Sequence, residues 1–440
     1  MFLPARKPDT VWNVTLAFRL LSLLVAGTPV LAMSYGGVGP QFLTIVVAVI
    51  LVMLPAAPRP DIARTAGVFR GIVLAAAFPV CWIVVQLLPA PSNELGHPIW
   101  RSAAAALSEQ FAGHITIDLG ITLRALFGYV TLLTLCFATA VLTQTRERAE
   151  TLLFALCAIT TFGAIELILF RDLSFIKPGG DYTSPLVACA VFGTILNVTL
   201  IIRTLERYET RGNQSGGPQL LASVLGGIAG AVICVTALIR VASLDIVLAM
   251  TLGMSVLFLV GLIRRLALRR WTAAVVGAAV LTASAGIIAA RLSLNASVSP
   301  LFRFAGADVA SVDATARMLS DATWFGSGVG TYPALAAIYR DVEGLPGANA
   351  LNSVVVVVLG WGRLGLLIAL VCLLVLFAVL FKGAISRGRD SFYSAAAAAC
   401  IVAGVGEAFC DTSFTDSSIQ MLSTIIVGLG LAQTVSHASK

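Results

Sequence analysis

Long apolar runs, each closed by a short polar or basic break, recur from one end of the chain to the other. Runs of this kind are long enough, or nearly so, to cross a hydrocarbon core of about 30 Å at about 1.5 Å per residue of helix, and about twelve of them are predicted. They cover residues 14–33, 42–55, 72–88, 121–142, 152–170, 184–202, 220–239, 241–263, 272–290, 353–381, 394–409 and 419–435, of which 42–55 and 394–409 are short for a span. The first run has no A-x-A site after a short apolar core, so it reads as an uncleaved membrane helix. The expected architecture is all-α: a single polytopic membrane domain over residues 1–440, with a long external loop at 291–352 between the ninth and tenth helices.

The basic residues sharpen this pattern into a topology. Arg6 and Lys7, then Arg59, Arg64 and Arg70, then Arg146 and Arg148, then Arg203, Arg207 and Arg211, then Arg264, Arg265, Arg269 and Arg270, then Lys382, Arg387 and Arg389 fall in every second loop. Positive residues are retained on the cytoplasmic side, so both termini are expected inside and the intervening loops outside. For a bacterial chain the membrane would be the inner one and the outer loops periplasmic.

Composition agrees: 58% of residues are hydrophobic and 12% charged, with a mean hydropathy of +0.95, whereas soluble domains carry about 25% charge. The net charge of +7 follows from the cytoplasmic arginines, so it does not imply nucleic acid. Cys81, Cys136, Cys157, Cys189, Cys234, Cys372, Cys400 and Cys410 lie in or beside spans without CxxC spacing. They read as small apolar packing residues rather than a disulfide framework or metal site.

Several charges are not explained by topology. Arg240 lies in the external hairpin between the seventh and eighth spans, with Asp245 about a helical turn further on. An ionisable residue at membrane depth is costly and is usually kept for a reason. An Arg240–Asp245 pair is one reading and an anion site facing a cavity is the other. Arg124, Arg171, Lys177, Arg291, Arg303, Arg317 and Arg340 are also external, and nearly all of this charge is arginine. The guanidinium fork grips phosphate bidentately and does not lose its proton, which suits a diphosphate at the membrane surface. For any one of these arginines a solvated loop face is the competing reading.

The polar stretch 317–365 adds geometry. Residues 316–324 have the spacing of a short amphipathic helix, with Met318, Leu319 and Phe325 on its apolar side; Gly326, Gly328 and Gly330 break it, and 332–340 can form another. Alternating glycines let backbone N–H groups approach a phosphate or sugar, but they also serve a plain loop bend.

In this order and topology, Arg317, the segment GSGVGTYPALAAIYRD, Asn352 and the pair Gly362 and Gly365 resemble the shared domain of bacterial O-antigen ligases and polysaccharide polymerases. The family pattern is an arginine, a G-x-G-x-G run ending in tyrosine, a His-Asn pair and a glycine-rich helix start. More loosely, Thr122, Arg240, Asp411 and Asp416 fit too. The resemblance implies transfer of a saccharide from a polyprenyl diphosphate lipid to a glycan or lipid A core acceptor at the outer leaflet, without nucleotide sugar, cofactor or metal. It assigns Arg240 and Arg317 to the departing diphosphate, and Tyr332 and Tyr339 to the saccharide channel. Arg124, Arg303, Arg340 and Asn352 complete the expected binding set.

One departure stands out: Leu351 occupies the position of the family histidine. Leucine accepts no proton, and a positioned base contributes about 10² to 10⁴-fold. Asp341 and Glu343 in the same loop are carboxylates that could replace it; Glu166, Asp411 and Asp416 are further candidates, and His97 and His114 are expected to be dispensable. The departure favours a polymerase over a lipid A ligase. A transporter of lipid-linked oligosaccharide and a catalytically silent relative are the alternatives.

Overall fold

The computed structural model describes residues 8–32, 38–91, 95–109, 112–172, 183–211, 217–265, 304, 309–339, 350–386 and 390–434. Fifteen helices run through them: α1 Pro8–Ala26, α2 Thr28–Ala32, α3 Val38–Met53, α4 Arg59–Leu87, α5 Pro98–Leu107, α6 Leu119–Leu142, α7 Arg146–Asp172, α8 Thr183–Arg211, α9 Gly217–Val241, α10 Leu244–Arg265, α11 Val309–Asp321, α12 Tyr332–Ile338, α13 Ser353–Ser386, α14 Ser391–Ala408 and α15 Ser417–Ala432. Among the described residues the only extended pairing is an isolated antiparallel bridge between Pro89 and His114. Nine helices there are long and apolar enough to cross a membrane, and Trp12–Ala26 and Ser417–Ala432 are shorter apolar helices. The predicted spans all fall on these helices except 272–290, which lies outside the described residues.

The helices are graded from core to rim. In α8, 83% of the most apolar window is buried, and in α14 72%, against 17% in α4 and 11% in α13. The alanine run of α14 explains its central place, because small side chains let neighbouring backbones approach. A Cβ on Gly253 of α10 would stand 2.7 Å from Ala399 O, and one on Gly406 would stand 2.7 Å from Ala249 Cβ. Those approaches interlock α10 and α14.

Loops that the basic residues assign to one side gather at one end of the bundle. There Gln144 Nε2 donates to Asp61 O at 2.7 Å, Gln433 Nε2 donates to Thr143 O at 2.8 Å, and Arg146 reaches Glu150 at 3.0 Å and Asp390 at 3.8 Å. Arg203, 2% exposed, pairs with the other oxygen of Glu150. The loops assigned to the opposite side meet at the other end, where Ile117 N donates to Ser327 O at 2.9 Å and Ser353 N to Asp411 O at 2.7 Å.

Two spans differ from their sequence reading. The run 14–33 is divided at Gly27 into α1 and α2. The run 353–381 belongs to a helix interrupted at Gly362, whose φ of 81° and ψ of 172° are not helical. The first part of α13 is buried, with Val355 0%, Val358 2% and Leu359 1% exposed. The second part turns outward, with Leu367 60% and Leu374 64% exposed. Arg363 and Lys382 bracket this second part, about 29 Å apart at about 1.5 Å per residue, close to a hydrocarbon thickness of about 30 Å. The unbroken apolar string conceals the break because valines serve equally well against protein and against lipid.

Candidate functional site

The described residues from α11 to the break in α13, 309–339 and 350–361, fold into a lid with its own small core. Ala314 and Met318 of α11 pack with Tyr332, Leu335 and Ala336 of α12 and with Leu351, Val355 and Leu359. Leu351 is thus one of the residues that bind the lid to α13. The predicted helix 316–324 is observed as α11, ending at Asp321. Phe325 consequently lies in the turn beyond it and stacks on Trp82 of α4, with ring centroids 5.8 Å apart.

The glycines have a definite task. Gly326, Gly328, Gly330 and Gly362 all have positive φ, a conformation that costs other residues. A Cβ on Gly326 would collide with Gly360 O, one on Gly328 with Thr116 Oγ1, and one on Gly362 with Trp324 O. Two backbone segments therefore run against each other, joined by Ser327 N to Leu359 O at 2.9 Å and Gly328 N to Gly360 O at 3.1 Å. Gln86, fully buried near the end of α4, locks both: its Nε2 donates to Phe325 O at 2.8 Å and Gly360 O at 3.0 Å, and its Oε1 accepts from Val329 N at 3.2 Å. Thr116 and Thr122 share a hydroxyl hydrogen bond of 2.7 Å beneath Gly328. The N–H groups from Gly326 to Val329 are all committed within the protein. Close backbone approach, rather than a phosphate cradle, accounts for this glycine pattern.

Asn352 is fully buried and caps α13: Val355 N donates to its Oδ1 at 2.8 Å, while its Nδ2 donates to Phe409 O at 2.8 Å. It anchors the turn after α14 to the lid. Tyr332 is buried in the lid core, and Tyr339 donates its hydroxyl hydrogen to Asp321 Oδ2 at 2.7 Å. Burial pushes both phenols up to about 12, helped at Tyr339 by the Asp321 carboxylate. Arg124 on α6, Arg240 at the end of α9 and Arg317 on α11 are exposed. Arg317, Tyr332, Tyr339 and Asn352 are brought together by the lid, whereas Arg240 and Arg124 sit on separate helices. Arg303, Arg340, Asp341 and Glu343 lie outside the described residues.

The candidate bases differ in their commitments. Asp411 Oδ1 accepts from Ser413 N at 3.0 Å and from Ser413 Oγ at 2.6 Å. Asp416 caps α15 by accepting from Ser418 N at 2.7 Å, and its pKa is nevertheless raised, because burial outweighs those donors. His97 caps α5 by accepting from Ile99 N at 3.3 Å, and burial lowers its pKa. His114 Nδ1 lies 3.0 Å from Leu87 O.

Two functional candidates were not singled out from the sequence. Glu407, one turn before Asp411 in α14, is 0% exposed, and neither carboxylate oxygen has a hydrogen-bond partner among the described residues. The signal for it was a lone acid closing an alanine-rich span. Arg363, exposed just past the helix break, lies with its Cζ 5.6 Å from the ring centre of Trp324. Its signal was a lone arginine inside a long apolar run.

This architecture defines the class, an all-α membrane helix bundle with a lid at one end. No protein-family model matches the chain, and no curated protein matches it.

Proposed function

We propose that this chain is a membrane-embedded glycosyltransferase of the polysaccharide polymerase or O-antigen ligase type. It moves a saccharide from a polyprenyl diphosphate carrier to a glycan or lipid A core acceptor on the lid side, taken as the periplasmic face of the inner membrane. The observation that supports it best is the lid itself: the described parts of the stretch carrying the family resemblance, 309–339 and 350–361, pack as one unit over a membrane bundle, with Arg317 exposed on it. The acceptor hydroxyl oxygen attacks the anomeric carbon, the bond to phosphate breaks, and the diphosphate leaves with the electron pair. Arg240 and Arg317 neutralise that charge, with Arg124, Arg303 and Arg340 holding the remainder of the headgroup. The proton passes to Asp341 or Glu343, because Leu351 cannot take it. Tyr332, Tyr339 and Asn352 shape the saccharide side, Asn352 by positioning.

Reconstituted protein supplied with a lipid-linked repeat tests this reading. Arg240→Ala and Arg317→Ala should each lower chain growth roughly 10² to 10³-fold, the usual loss for one charge-stabilising donor. Full activity of both variants would refute their assignment. Asp341→Asn and Glu343→Gln identify the base by which one abolishes transfer.

A second reading rests on Glu407. Buried intramembrane acids mark ion and proton pathways, and interrupted helices occur in transporters. Coupled movement of the lipid-linked saccharide across the membrane would appear as flipping in vesicles containing only this protein, lost in Glu407→Gln, without chain growth.

A further inference from the structure

The second part of α13 carries a charge where its surroundings call for none. Arg363 begins a stripe continued at Leu367, Leu370 and Leu374, spaced as one face of a helix, and all four are exposed. On a membrane helix that exposed apolar face is turned toward lipid. No carboxylate pairs with Arg363 among the described residues; its contact is the Trp324 ring, itself 60% exposed. The spacing from Lys382 puts this guanidinium at headgroup level. Trp82 marks the same level: its Nε1 donates to Trp361 O at 2.9 Å. Tryptophan and tyrosine collect at such interfaces.

A guanidinium held over an aromatic face keeps its N–H edge free, and that edge matches two oxygens of a phosphate. The stacking also restricts the long side chain before any ligand arrives. We propose that Arg363 and Trp324 form a membrane-facing entry site for the diphosphate headgroup of the polyprenyl-linked donor, with the isoprenoid chain lying along Leu367, Leu370 and Leu374. A diphosphate carries more charge than a phospholipid phosphodiester, so it gains more from a fixed cation at the edge of a low-dielectric region. The site is joined to the lid, since Leu364 N donates to Trp324 O at 3.3 Å and Trp324 follows α11, which bears Arg317. The inference rests on the glycosyl-transfer reading and specifies where the donor enters.

The test measures binding to the full chain in nanodiscs by native mass spectrometry and by competition, using sugar-free polyprenyl diphosphate and, separately, phosphatidylglycerol. Arg363→Leu should weaken polyprenyl diphosphate at least tenfold, Arg363→Lys by an intermediate factor for lack of the fork, and Trp324→Leu a few-fold, with phosphatidylglycerol unchanged throughout. Wild-type affinity in Arg363→Leu overturns the proposal, as does an equal loss of phosphatidylglycerol, which would mark a general anion anchor. Should Arg363→Leu not fold, wild-type affinity in both Arg363→Lys and Trp324→Leu overturns it equally. Chain growth by Arg363→Leu at unchanged KM refutes the entry site while leaving glycosyl transfer standing. Arg363-dependent binding without chain growth by the wild-type protein refutes the transfer reading while leaving the site standing.

Discussion

The two ends of the bundle are held together by different polar groups. At the end rich in basic loops, Arg146, Arg203 and Arg264 are tied to Glu150, Asp390 and Glu206, and Arg203 is sealed among helices with its guanidinium 5.3 Å from the Phe154 ring. At the lid end, Arg124, Arg240, Arg317 and Arg363 are exposed, while polar side chains such as Gln86 and Asn352 are buried and spent on backbone groups. At the first end these ion pairs tie one element to another, and only Arg203 among them is buried. At the lid end buried amides join the segments through backbone groups instead, and the exposed arginines there are the ones that the proposed function assigns to an anion.

The frame of the lid is the most demanding part of that comparison. Gly328→Ala or Gly362→Ala should cost roughly 3 kcal/mol or more, because the backbone region alone costs about 1 to 3 kcal/mol and the new Cβ meets Thr116 or Trp324. Gly128→Ala, with nothing within 4 Å of the new Cβ, should be neutral or stabilising by up to about 1 kcal/mol, the propensity difference in a helix. Melting in detergent together with limited proteolysis reads both; a protease-resistant lid in Gly328→Ala would break the clasp argument.

A smaller contrast separates the two kinds of arginine. Arg203→Ala removes the buried partner of Glu150, which keeps Arg146 at 3.0 Å, and should cost about 1 to 3 kcal/mol, whereas Arg124→Ala, exposed on α6, should stay within about 0.5 kcal/mol in stability. Equal melting shifts in the two variants would erase the distinction between the ends.

The smallest effect is local to the lid. Tyr339 holds its proton up to about 12 against an ordinary 10.0, so its contribution is complete below pH 10 and is lost as pH rises from 10 to 12. Tyr339→Phe removes a hydrogen bond worth about 1 kcal/mol. Lid proteolysis followed from pH 9 to 12 should show the wild type more resistant than Tyr339→Phe below pH 10 and the two converging above it.

Much of the frame was legible beforehand. The apolar runs and the alternating basic loops pointed to the helices and to which loops share an end, because hydrophobic length and positive charge act locally along a chain. Arg317, Tyr332, Tyr339 and Asn352 were readable as neighbours through sequence proximity. The glycine clasp was only half readable: alternating glycines announce a close approach without naming its partner, and the partners, Thr116, Gln86 and Gly360, come from distant stretches. Glu407 and Arg363 escaped notice because each was a single charge inside an apolar run, and only packing shows that one is sealed in the core and the other lies on the outer face.

Composition and periodicity alone determined that this is a helical membrane protein, and roughly where its helices begin and end, since both depend on transfer from water and on local backbone hydrogen bonding. Tertiary structure alone decided that α13 is two working pieces rather than one span. It also decided that Asn352 caps a helix and that Leu351 packs into the lid core. These outcomes depend on which distant surfaces meet, and no local propensity encodes that.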